Sequence, residues 1–78
     1  MVDKLKIKAI YNDFLSNVHL TDEQIKILNM LLNRDSTVKI AMEIGVSERT
    51  ITSEIRKLKD LFAKYYELQI FKTEMLKK

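Results

Sequence analysis

Ile40-Ala41-Met42-Glu43-Ile44-Gly45-Val46-Ser47-Glu48-Arg49-Thr50-Ile51 is the stretch that decides the fold. Apolar residues at helical spacing run up to Gly45, the only glycine in the chain, one apolar residue follows, and Ser47 opens a second helical run. Glycine ends a helix well because it takes the left-handed conformation without steric cost. Serine opens one well because its hydroxyl accepts from a free backbone N–H of the first turn. Ala41 is small where a second helix has to cross close by. Val46 and Ile51 fill the angle between the helices, while Ile40, Ile44 and Ile55 seat the pair on the remaining core. This arrangement predicts a helix-turn-helix from about Ser36 to Lys59.

Outward from that unit, the chain reads as helix nearly throughout, since it has no proline and no second glycine. Ser36 caps the short third helix, about Thr37 to Ile44. Before it, Thr21 and Gln24 have capping-box spacing, and Ile25, Ile27, Leu28, Leu31 and Leu32 follow up to Asn33-Arg34-Asp35. A first helix is expected from about Asp3 to Val18, with Ile7, Ile10, Tyr11, Phe14, Leu15 and Val18 on its apolar face. His19 reads as an ordinary connector residue. The expected fold is therefore all-α: a small four-helix domain over residues 1–78 with a helix-turn-helix and a long C-terminal helix. It divides into an N-terminal helix (1–19), a core (20–62) and a helical extension (63–78).

The fourth helix turns Glu48, Arg49, Thr52, Ser53, Arg56, Lys57 and Lys59 away from Ile51 and Ile55. Short hydroxyls allow close approach to base edges in a major groove, and Arg56 has the two-pronged donor geometry that guanine accepts. Arg49, Thr52, Ser53 and Arg56 are the expected base-contacting residues. Ser36, Lys39, Ser47, Thr50, Lys57 and Lys59 are the expected phosphate contacts. Glu48 and Glu54 work against this assignment, because a carboxylate facing a duplex repels phosphate. The plainer alternative is a helical corner with a solvated outer face.

From Leu20 to Phe62, just over half the chain, the sequence resembles the LuxR-type, or GerE-like, helix-turn-helix domain of bacterial regulators. The resemblance rests on Leu20-Thr21, Gln24, Ile27-Leu28, Leu31, Ser36, Ile40-Ala41, Ile44-Gly45-Val46-Ser47, Thr50-Ile51, Leu58 and Phe62, with no gap. It implies base contacts from Thr52, Ser53 and Arg56, phosphate contacts near Ser36, Ser47 and Thr50, and dimerisation through the helix after recognition. Five positions depart from the family pattern. Thr52 replaces a frequent basic residue and Glu54 a common histidine, Val38-Lys39 replaces a Lys-Glu pair, and Arg34 replaces the glycine that ends the earlier helix. The family's DNA sequence preference is not carried over. Region 4 of bacterial sigma factors is similar over the same stretch, which implies RNA polymerase as an alternative partner for a sigma-like or anti-sigma-like module.

Past Phe62 the apolar pattern continues. Leu61, Phe62, Tyr65, Leu68, Phe71 and Met75 carry more apolar surface than a solvated tail should. Either the tail packs back on the first helix, or it pairs with a second copy as the dimer interface. The homodimer is the expectation, because the LuxR-type resemblance implies it and a second copy would supply stability that a modest core without cysteine lacks. The same lack of cysteine, with one histidine, leaves no cofactor or metal site in view. No phosphate loop or nucleophile with a paired base is present, so an enzyme is not expected. The net charge of +3 mildly favours an anionic partner. No apolar run spans a bilayer and the amino terminus lacks a secretory layout, so a cytoplasmic protein is expected, with double-stranded DNA as partner and no membrane or small-molecule ligand.

Overall fold

Five α-helices and no strand make up the described residues of this small all-α domain. The computed structural model describes the backbone of residues 1–76 and the side chains of residues 1–69. The helices are α1 (Val2–Leu5), α2 (Lys8–Asn17), α3 (Asp22–Leu32), α4 (Thr37–Ile44) and α5 (Glu48–Leu76).

The expected first helix is two helices. Ile7 caps α2 in extended conformation (φ −78°, ψ 114°), so the chain breaks at Lys6–Ile7. The cause is tertiary. Leu5 and Phe14 lie nine residues apart, two and a half turns, and on one continuous helix they would face opposite sides. The break lets both enter the core, at 2% and 0% exposure. Ile7, which a continuous helix would have buried, is left 53% exposed.

The remaining boundaries follow local chemistry. At the start of α3, Gln24 N–H donates to Thr21 Oγ1 (3.1 Å) and Thr21 N–H donates to Gln24 Oε1 (3.0 Å), completing the capping box. Lys39 N–H donates to Ser36 Oγ (3.1 Å) at the start of α4. Helix α4 ends on Gly45, whose φ of 84° and ψ of 33° are left-handed. Helix α3 ends in the same kind of turn without a glycine. Asp35 N–H donates to Met30 O (3.0 Å), Arg34 N–H donates to Leu31 O (2.9 Å), and Arg34 sits at φ 63°.

The spine of the molecule is α5, 29 residues without interruption and about 43 Å at 1.5 Å per residue. The long dimension of 49 Å, against 20 and 18 Å across, is set largely by it. Its inner stripe is Ile51, Leu58, Phe62 and Tyr65, and it packs in turn on α4, α3 and α2. Ile27 and Leu28 of α3 and Ile40 and Ala41 of α4 complete the centre, and Leu20 enters it from the connector. At the α2 end, the Phe14 ring meets Phe62 and Tyr65 edge to face, with centroids 5.4 and 5.2 Å apart. Offset and edge-on pairs of this kind add to simple burial because the ring edge is positive and its face negative.

Candidate nucleic-acid interface

The turn between α4 and α5 is only Gly45-Val46-Ser47. Val46 packs against the core with Ile44 and Ile55, and Ile40 and Ile51 are fully buried on either side. Thr50 N–H donates to Ser47 Oγ (3.2 Å), and the two hydroxyls lie 3.0 Å apart. The start of α5 is therefore fixed by a left-handed glycine, an apolar plug and a side-chain cap.

With Ile51 and Leu58 turned inward, the opposite line of α5 is Arg49, Ser53, Arg56 and Asp60, all exposed. Thr52 and Lys59 are exposed on one flank of that line. Thr50, Lys57 and Lys64 are exposed on the other. The four residues expected at base edges thus share one accessible surface.

The expected phosphate contacts are less uniform. Lys39 pairs with Asp35 (3.3 Å) and Lys57 with Glu54 (3.4 Å). Ser36 and Ser47 accept backbone donors as caps, although both remain exposed. Among the described residues Lys59 makes no such pairing. Glu54 is not an outward-facing carboxylate. Its side chain is 21% exposed, it is held by Lys57, and with Thr21, Glu23 and Gln24 it lines a recess at the amino end of α3. Glu48 is exposed, and its charge suits the positive end of α5.

The residues expected at a subunit interface divide. Phe62 and Tyr65 are 6% and 7% exposed in contact with Phe14, so they belong to the core of one chain and have little surface left to bury elsewhere. Leu61 is half-buried and Leu68 is 59% exposed. With Val18 they line a shallow groove between the end of α2 and α5. The side chains of Phe71 and Met75 lie outside the described residues.

Three features were not singled out from the sequence. Lys64 is exposed eight residues past Arg56, a spacing that helical periodicity alone places on the same side of α5. Lys4 Nζ lies 5.6 Å from the centre of the Tyr66 ring and tethers α1 to α5. Tyr65 Oη donates to Asp13 Oδ2 at 2.5 Å. Burial first, and then the hydrogen bond and negative charge of Asp13, push the Tyr65 phenol up from its usual 10.0 to about 12.

Among the described residues no cluster of histidine, cysteine or carboxylate groups could hold a metal ion. Among them, too, no helix is long and apolar enough to cross a membrane. No protein-family model, no curated protein and no solved structure matches this chain.

Proposed function

We propose that the chain is a sequence-specific regulator of transcription in the cytoplasm that inserts the amino-terminal half of α5, from Glu48, into the major groove of double-stranded DNA. The observation that carries this reading is the exposed line of Arg49, Ser53 and Arg56 with Thr52 beside it, presented by a helix whose start is fixed by the Gly45 turn. A helix about 10–12 Å across fits a major groove about 12 Å wide. Short side chains between the arginines let the helix approach base edges. Pairing of Glu54 with Lys57 removes one of the two carboxylates that stood against the assignment. The LuxR-type resemblance agrees with this orientation of the two helices.

The chain acts as a homodimer, a reading supported by the exposed Leu68 beside half-buried Leu61 and Val18. Two copies would set two recognition helices on a palindromic site. A second reading is docking on RNA polymerase or another regulator. It is favoured by Val38 and Met42, 51% and 78% exposed one turn apart on α4.

Selection from a random duplex library near physiological salt separates the two readings. A palindromic motif with half-sites about one helical turn apart is expected of the DNA-binding dimer. A bound pool no different from the input would refute that reading and leave docking on a protein partner.

A further inference from the structure

The cations of this surface are not equivalent. Lys39 is tied to Asp35 in the turn before α4, Lys57 to Glu54 on its own helix, and Lys4 lies over the Tyr66 ring. Arg49 and Arg56 are exposed and make no hydrogen bond, ion pair or ring contact among the described residues. They stand seven residues apart on α5, nearly two full turns, so both guanidinium stems leave the same line of the helix about 10.5 Å apart along its axis. Between them on that line is Ser53, short enough not to hold the helix off. Asp60 comes next, exposed and without a basic partner among the described residues, and a carboxylate there is repelled by phosphate. The line therefore has two free arginines, a small residue between them and a negative stop.

We infer that Arg49 and Arg56 are the specificity-determining residues of this surface, each reading a guanine, with the two guanines about two to three base pairs apart in one half-site. This rests on the DNA-binding reading above. Guanine presents two acceptors, O6 and N7, on its major-groove edge, and a guanidinium meets both with parallel N–H donors. A phosphate contact carries no base preference, so an arginine held on phosphate would leave the selected sequence unchanged when it is replaced by lysine. The separation follows from the duplex rise of about 3.4 Å per base pair, which divides 10.5 Å into roughly three steps. A helix that follows the slanting groove spans about two. Asp60 closes the reading frame, so no base beyond the Arg56 contact is read by this line.

The test repeats the library selection with wild type, Arg49→Lys and Arg56→Lys, and measures affinity and salt dependence on the selected duplex. Both positions are exposed and outside the core, so neither variant disturbs it. The wild-type motif is expected to hold two guanines at that separation. Each lysine variant is expected to lose the preference at one of them, with discrimination falling roughly 5- to 100-fold and the salt slope unchanged. A wild-type motif without the guanine pair, or lysine variants that select the wild-type motif unaltered, would overturn this inference and leave DNA binding standing. A wild-type pool without any motif would overturn both.

Discussion

Among the described residues two sit in left-handed conformation, Gly45 (φ 84°) and Arg34 (φ 63°), and they predict opposite responses to substitution. At Gly45 an added Cβ would meet no atom within 4 Å, so Gly45→Ala costs only what the backbone conformation costs. That cost is about 1–2 kcal/mol for a residue with a Cβ. Alanine also restricts the unfolded chain, which returns about 0.4–1 kcal/mol. The net loss is about 1 kcal/mol, equivalent to roughly 4–8 °C in Tm for a domain of this size. Arg34 already carries the Cβ penalty. Arg34→Gly removes it but frees the unfolded chain, for a net gain of about 0.5–1 kcal/mol. Urea denaturation followed by circular dichroism should show the midpoint falling for Gly45→Ala and rising for Arg34→Gly, with the slope unchanged in both. Equal midpoints would mean that the two turns relax without cost. A loss above about 3 kcal/mol at Gly45 would mean a steric demand that the open space around it excludes.

Three further outcomes follow from the packing and the charges. When tyrosinate absorbance is followed, Tyr65 should ionise only near pH 12, and Asp13→Asn should bring that titration down. Because the folded pKa lies above the unfolded value of 10.0, the stabilisation is complete below pH 10 and is lost as pH rises from 10 towards 12. Leu68→Glu should convert a sedimenting dimer to a monomer without altering the melting of the single chain, because Leu68 is exposed and outside the core. A variant that kept the dimer mass would remove this edge of α5 from the interface. Lys59→Ala should weaken binding to all duplexes alike and flatten the dependence of log K on log salt by about one unit. Lys57→Ala should do less, since Glu54 already holds that charge, and an equal effect of the two would contradict the pairing.

The local parts of the fold were legible in the sequence because their signals act over a few residues. Thr21 with Gln24, Ser36, Gly45 and Ser47 each mark a boundary through a bond or backbone conformation within one turn, and each boundary lies where those residues place it. The break at Lys6–Ile7 was not legible. It has no breaker residue and exists because Leu5 and Phe14 both have to reach a core formed by helices later in the chain. Phe62 and Tyr65 were ambiguous for a similar reason. One apolar stripe serves equally well against a second copy or against α2, and only the position of Phe14, 48 residues before Phe62, decides between them. The accessible face of α5 was legible from periodicity alone. Which of its charges are already paired was not, since Lys57 with Glu54 and Lys39 with Asp35 are choices among several neighbours at helical spacing. Arg34 shows that a left-handed helix end can be kept without glycine when the backbone bonds of the turn are complete.

The most direct test of the central claim, that the outer face of α5 is where duplex DNA binds, is to titrate isotope-labelled protein with a short mixed-sequence duplex and follow the backbone amide chemical shifts. Shifts concentrated from Ser47 to Lys59, largest at Arg49, Thr52, Ser53 and Arg56, are the predicted result. Shifts confined to Val38 and Met42 on α4, or no shifts at duplex concentrations well above those of non-specific binding, would contradict it.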